Sequence, residues 1–163
     1  MLPGMPEPMS YGLHIVLDGF QASAEAMSKE VVGKEILEDL GRIIEPEAVS
    51  DTRLFSFYDS LCPGNSGATL LPESNVTLHF FPDTSKLTLK AFSRHQFRIG
   101  EIITLLSLHL GVGRFETGRR NHSRPTPRDQ IVLKRVLQGD RLYAHLRLED
   151  LLKEEAPQGF GNA

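Results

Sequence analysis

Two runs of strand-forming residues, separated by only four residues, constrain the fold of this 163-residue chain most strongly. The runs are Ala68 to Phe81 and Lys86 to Phe92, and the connection Pro82 to Ser85 consists of turn-forming residues. In the second run, apolar side chains alternate with others, as on a strand with one buried face. The sequence therefore predicts an antiparallel hairpin.

Further strands and two helices surround this hairpin in the predicted order β-α-β-β-β-α. Tyr11 to Leu17 and Val49 to Tyr58 have the composition of strands. A helical pattern runs from Ser23, which is placed to cap it, to Ile44. Phe97 to Leu110 carries the strongest apolar helix face, and Gly111 ends it. The pattern predicts an α+β fold, a two-layer sandwich in which an antiparallel sheet carries two main helices on one face.

The remaining segments carry weaker signals. Asp59 to Gly67 is dense in turn formers and predicts a loop. Arg114 to Arg135 predicts a basic, irregular segment, and Arg141 to Leu148 a last strand or short helix. Lys153 to Ala163 is expected to be a frayed end.

The composition is typical of a globular protein, with 40% hydrophobic and 24% charged residues. We therefore predict one domain over 1–163, with its core at 11–112. The net charge of -3 is too small to indicate a nucleic-acid or membrane partner. No leader or membrane-spanning pattern is visible, so a cytoplasmic location is expected. Cys62 is the single cysteine, which excludes an internal disulfide, and the scattered histidines predict no metal site.

The stretch from Pro72 to Asp83 is unusual for a strand. Ser74 and His79 are separated by an odd number of positions, so a regular strand would place them on opposite faces. They can meet only if the chain bends or bulges between them, or if Ser74 lies at a strand end. From spacing alone, an exposed serine and an ordinary hydrogen-bonded histidine are expected.

This stretch resembles the self-cleavage motif of the prokaryotic class of S-adenosylmethionine decarboxylases, a Glu-Ser pair followed by His, Pro and Glu at fixed offsets. The matching residues are Glu73, Ser74, His79 and Pro82. Ser66, in Asn-Ser-Gly, takes the place of the processing serine of the family. The opening Gly12-x-His14-x-x-x-Asp18 is similar to the first strand of the family, and the resemblance covers roughly Tyr11 to Leu110.

The resemblance implies that the chain cleaves itself between Glu73 and Ser74 and converts Ser74 into a pyruvoyl cofactor. His79, helped by Ser66, would remove a proton during this maturation. A pyruvoyl group is a carbonyl electron sink that binds a substrate amine and lets carbon dioxide leave, and it requires no metal. The family implies S-adenosylmethionine as substrate, a role in spermidine biosynthesis, and a homodimer of cleaved protomers with active sites near the subunit interface.

Several substrate positions depart from the family pattern. Asn75 replaces a histidine, and Asp83 stands where a longer glutamate binds ribose. Phe57 or Tyr58 is the candidate for stacking on adenine.

The position of the acid also differs, because the expected cysteine falls on Ser93. A serine hydroxyl is a far weaker acid than a thiol, whose ordinary pKa is about 8.5. Cys62 is a possible substitute, although it is more often a small buried apolar residue.

Other functions therefore stay open. The chain could decarboxylate another amino acid, such as arginine or ornithine, or be a non-catalytic homologue with a structural or regulatory role. The basic segment favours a solvated loop over nucleic-acid binding, since Phe115 is its only aromatic residue. A subunit interface or a carboxylate site there is also open.

Overall fold

The computed structural model describes residues 12–58, 61–119 and 126–155 of the chain. The described residues form a six-stranded sheet and four α-helices. The strands are β1 (Leu13–Phe20), β2 (Asp51–Phe57), β3 (Gly64–Leu70), β4 (Ser74–Phe81), β5 (Lys86–Ser93) and β6 (Arg114–Arg119). The helices are α1 (Ala24–Met27), α2 (Glu30–Ile44), α3 (Ile99–Leu110) and α4 (Gln130–Glu155).

Neighbouring strands are antiparallel throughout the sheet, in the order β2-β3-β4-β5-β1-β6. β4 and β5 form the predicted hairpin, connected by a short 3-10 turn. Their register is unbroken from the Phe81–Lys86 pair to the Ser74–Ser93 pair. β4 is therefore a regular strand whose successive side chains point to opposite faces. The predicted α+β class is confirmed.

One face of the sheet packs against α2 and α3 and forms the main core; we call it the helix face. β4 contributes Val76, Leu78 and Phe80 to this core, and all three are buried. The same cluster contains Leu37 of α2 and Leu106 of α3. Burying each such side chain stabilises the fold by about 1.5–3 kcal/mol relative to leaving it in water.

The opposite face of the sheet is covered by α4, and we call it the α4 face. Four buried apolar residues of α4 recur at helical spacing along one stripe. They are Leu133, Leu137, Ala144 and Leu148, and they pack with Phe20, Phe57, Cys62, Ala68 and Phe81. This helix adds a third layer to the predicted two-layer arrangement.

The strand boundaries correct part of the sequence analysis. Gly64 to Gly67, predicted as the end of a loop, opens β3. The predicted single strand at 68–81 is divided between β3 and β4. The reversal contains Pro72, which has no N–H for a strand ladder, and Leu71 closes it by donating its N–H to the carbonyl of Ser74 at 3.0 Å.

The basic segment at 114–135, predicted as partly irregular, is regular at both ends, and its residues 120–125 lie outside the described residues. Its start is β6, which pairs with β1, and its end belongs to α4. The predicted strand or short helix at 141–148 is the middle of α4, a helix of 26 residues. The apolar pattern of this helix is concealed because Arg141 occupies the buried stripe, whereas Leu142 and Leu146 are exposed.

The predicted frayed end at 153–163 overlaps the last residues of α4. The rest of it, 156–163, lies outside the described residues. Within the described ranges, no helix is both long and apolar enough to cross a membrane.

Candidate active site

Two serine hydroxyls meet where β4 begins and β5 ends; we call Ser74 and Ser93 the serine pair. Ser74 is the first residue of β4, is 5% exposed, and donates its hydroxyl to Ser93 Oγ at 2.8 Å. Ser93 is fully buried, and its oxygen also accepts the N–H of His95 at 2.9 Å. The pair lies on the helix face, because the core residues Val76 and Ala91 are two positions along the same strands.

The predicted cleavage bond precedes this pair in the chain. The Glu73 carbonyl oxygen, which belongs to that peptide bond, accepts the N–H of Arg94 at 3.2 Å. A cavity of about 360 Å³ adjoins the bond, and its lining includes Glu73, Ser74, Phe92, Arg94 and Arg128. The Glu73–Ser74 peptide therefore lies at a strand end and beside open space.

A second polar group lies on the α4 face; we call Ser66, His79 and Arg141 the histidine network. Ser66 and His79 are opposite each other on β3 and β4, fully buried, with Oγ and Nδ1 2.8 Å apart. Arg141 reaches Ser66 Oγ from α4 at 2.8 Å. A guanidinium can only donate, so the Ser66 oxygen accepts from Arg141, and the same Ser66 hydroxyl is hydrogen-bonded to His79 Nδ1.

The surroundings of His79 favour the neutral form of its ring. Burial, followed by the charges of Arg141, Lys90 and Arg147, lowers the pKa of His79 well below its usual value of 6.5. Within the described part of the chain, Nε2 has no hydrogen-bond partner.

Arg141 is the most extensively bonded side chain of this network. It is fully buried and donates to the backbone carbonyl oxygens of Cys62, Pro63, Asn65 and Phe80. Burial lowers its pKa to about 10, although Cys62 and Asp83 oppose the shift. At Gly64, with a φ of 139°, a Cβ would lie 2.2 Å from the Arg141 guanidinium, so only glycine fits.

A second arginine of α4 binds the same face at β1. Arg147 donates to Asp18 and to Thr88, and Thr88 in turn donates to Asp18 at 2.7 Å. Asp18 is the acidic residue of the opening motif and is buried. This ion pair ties α4 to the central strands at a second point.

The predicted substrate residues lie near Arg141 and not near the serine pair. Phe57 is 6% exposed, packs with Leu133 and Leu137 of α4, and its ring is 6.0 Å from the Arg141 guanidinium. Asp83 is exposed in the 3-10 turn, where its charge acts on Arg141.

The two alternative candidates also lie apart from Ser74. Tyr58 is 79% exposed and follows β2. Cys62 is buried in the apolar cluster with Phe20 and Phe81 and contributes its carbonyl to Arg141.

The structure thus brings the predicted site residues together in two separate groups. Ser74 and His79 are on opposite faces of β4, five positions apart, which corresponds to about 17 Å along a strand. No bulge between them reverses this arrangement, since the β4–β5 register is continuous. Within one chain, His79 does not reach Ser74.

Sequence reasoning missed Arg141 and Arg147. Both lie in α4, where the sequence pattern predicts only a strand or short helix at 141–148. Arg141 falls on the stripe between Leu137 and Ala144, and this spacing is the signal that could have identified it as buried.

Comparison with known proteins finds a matching family and similar solved structures. A family model described as S-adenosylmethionine decarboxylase matches residues 13–123. The chain is also similar to the crystal structure of the adenosylmethionine decarboxylase from Aquifex aeolicus VF5, with a TM-score of 0.57 and 16% identity over 74% of this chain and 97% of that chain. No curated protein sequence matches. At this identity the structural likeness concerns the fold, and α4 lies outside the matched residues 13–123.

Proposed function

The chain belongs to the S-adenosylmethionine decarboxylase family, and on that premise we propose that it decarboxylates S-adenosylmethionine with a pyruvoyl group derived from Ser74. The pyruvoyl group would supply the carbonyl that withdraws electrons as carbon dioxide leaves. We place this reaction in the cytoplasm, in spermidine biosynthesis. The polar surroundings of Ser74 are the observation on which the proposal depends.

The geometry of Ser74 suits self-cleavage. Its hydroxyl is buried and directed by Ser93, and the Glu73 carbonyl is adjacent in the chain. Attack of Ser74 Oγ on that carbonyl would convert the peptide into an ester and free the Ser74 amine. Loss of the Ser74 α-proton would then expel Glu73 as a carboxylate, and hydrolysis of the resulting enamine would release ammonia and leave the pyruvoyl group.

Ser93 is the residue we propose for returning a proton to the reacting carbon. Its oxygen contacts Ser74 Oγ at 2.8 Å, so it lies beside the atoms that would become the pyruvoyl group. The cavity next to Glu73 and Ser74 offers room for a substrate. A hydroxyl is a weak acid, so we expect proton return to be slow.

We propose that Ser66 and His79 of one chain assist the maturation of Ser74 in a second copy of the chain. In one chain they lie on the opposite face of β4 from Ser74, so this role requires a homodimer in which one chain presents them to Ser74 of the other. Asp83 and Phe57 would contact substrate at the same interface. Because α4 covers His79 and Phe57, this dimer requires α4 to move away from the sheet.

The burial of Phe57 favours a second candidate function. With this ring packed beneath α4, it offers no free surface to adenine. A smaller amino acid, such as arginine or ornithine, would not need such stacking. The same pyruvoyl chemistry would then act on that substrate.

Release of carbon dioxide from carboxyl-labelled substrates tests both candidates. Purified protein is supplied with S-adenosylmethionine, arginine or ornithine, and the Ser74→Ala variant is the matched control. We expect release from S-adenosylmethionine that the variant lacks. Release from arginine or ornithine alone would establish the second candidate, and release from none, or equal release by the variant, would contradict both.

A further inference from the structure

Three potential metal ligands meet beside the serine pair, each from a different part of the fold; we call them the Glu-His cluster. Glu45 follows α2, Glu73 precedes β4, and His95 follows β5. His95 Nε2 lies 3.2 Å from Glu45 Oε1 and 2.5 Å from Glu73 Oε2. One ligand atom from each residue lies within 4.8 Å of the others.

The Glu45 carboxylate is buried with incomplete hydrogen bonding. Its side chain is only 8% exposed, and Oε2 has no partner within the described residues. Removing a carboxylate from water is costly unless it is paired or coordinates a metal. Oε1 of the same carboxylate faces His95, and Oε2 keeps a lone pair that is available to a metal ion.

A proton on the His95 ring nitrogen cannot pair with both carboxylates. A single ring nitrogen faces both carboxylates, and its one N–H can form only one well-directed hydrogen bond. A cation placed among the three groups would bind all of them at once. Ligand atoms of a tetrahedral zinc ion are about 3.4 Å apart, so shifts of about 1 Å would complete the coordination.

An entry path for an ion is present. A cavity of about 460 Å³ is lined by Glu45 and His95, together with Pro46, Ala48 and Gln96. The side chains of His95 and Glu73 are about half exposed, so the site can fill from solvent. Water from this cavity can supply the remaining ligand.

We propose that Glu45, Glu73 and His95 bind a divalent first-row metal ion, with Zn²⁺ as the ion that suits them best. One imidazole and two carboxylates are the donors that Zn²⁺ accepts at tetrahedral sites. The scattered histidines did not predict this site, because its ligands are 28 and 22 residues apart in sequence. The inference does not depend on decarboxylation, although Glu73 belongs to the proposed cleavage bond.

The test uses the untagged, full-length Ser74→Ala chain, so that the Glu73–Ser74 bond stays intact. Isothermal titration with ZnCl₂ is expected to give one site per chain. Titration with CoCl₂ is expected to give the visible absorption of Co²⁺ in a tetrahedral field. Adding His95→Gln or Glu45→Gln is expected to weaken Zn²⁺ binding at least tenfold and to abolish that absorption.

His109→Gln is the matched control. His109 also lies beside a carboxylate, that of Asp39 at 3.9 Å, but it belongs to α3 and not to the Glu-His cluster. We expect this variant to bind as the parent does. His95 is half exposed, so its variant should fold even if Glu45→Gln does not. Absence of Zn²⁺ binding, or binding that His95→Gln leaves unchanged, would overturn the proposal.

Discussion

The serine pair and the histidine network are built from similar hydroxyl groups but are held in different ways. Ser74 and Ser93 lie at strand ends, beside a cavity, and are fixed by each other and by one backbone N–H. Ser66 and His79 lie in mid-strand and are fixed by Arg141, which belongs to a helix beyond the family match. Both groups lie within the residues that match the family, but the second is covered by a helix outside that match.

This difference separates two requirements of the proposed function. Ser74 has the neighbour proposed for proton return, because Ser93 is in contact with it. It lacks the neighbour proposed for maturation, because His79 is on the other face of the sheet. The following variants test whether the two regions act separately or across a dimer.

The largest effect is expected on stability at Arg141. Arg141→Met would leave four backbone carbonyls and Ser66 without their buried donor, which we expect to lower the free energy of unfolding by about 3–5 kcal/mol. Urea denaturation measures the loss. Arg135→Met, at an exposed position of α4, should change the free energy by less than about 0.5 kcal/mol. Equal stability of both variants would show that the network does not hold α4.

His79→Ala tests whether maturation occurs across a dimer. Loss of a proton-transfer group is expected to slow self-cleavage by about 100-fold or more. Co-expression with the uncleavable Ser74→Ala chain should restore cleavage of the His79→Ala chain, because the other chain supplies His79. Cleavage is followed by mass spectrometry of the two chains. Failure of rescue, or undiminished cleavage by His79→Ala alone, would contradict the dimer proposal.

Ser93 variants test the serine pair. Ser93→Cys should raise the rate of carbon dioxide release by about tenfold, because a thiol is a stronger acid than a hydroxyl, and Ser93→Ala should lower it by a similar factor. Rates per cleaved chain are compared with those of Ser107→Cys, which adds a thiol on α3. If Ser93→Cys and Ser93→Ala behave alike, Ser93 is not the acid.

The smallest expected effect is the pH dependence that His79 gives to the free energy of unfolding. The lowered pKa of His79 keeps it neutral in the folded chain, whereas in the unfolded chain it binds a proton below about pH 6.5. The unfolded state then binds more protons, so stability should fall by up to about 1.4 kcal/mol per pH unit below pH 6.5 and stay constant above it. His79→Asn should remove this part of the slope in urea denaturation between pH 5 and 8. An unchanged slope would show that folding does not change the pKa of His79 and would contradict this prediction.

The sequence predicted those parts of the fold that depend on local patterns. The β4–β5 hairpin followed from its turn residues, and the end of α3 followed from Gly111, which adopts a φ of 59°. The odd spacing of Ser74 and His79 predicted opposite faces for a regular strand, and β4 is regular. These signals lie within a few residues of the feature they determine.

The rest depends on contacts between distant residues. Arg141 meets carbonyl groups up to 79 positions away, and although its place on the apolar stripe of α4 indicates burial, no local pattern identifies these partners. The pairing of Ser66 with His79 also required the reversal at Pro72, which the sequence analysis placed inside a strand. The sequence therefore indicated the serine and histidine candidates of the site, but it predicted neither Arg141 nor the contacts that join these residues.

The identity of Ser74 as the cofactor precursor is tested most directly by intact-mass spectrometry of the purified chain. The proposal predicts two fragments that divide between Glu73 and Ser74, with the second fragment lacking a free α-amine and gaining two hydrogens on borohydride reduction. The Ser74→Ala variant should remain a single chain. One uncut polypeptide from the parent, or division at any other bond, would contradict the account.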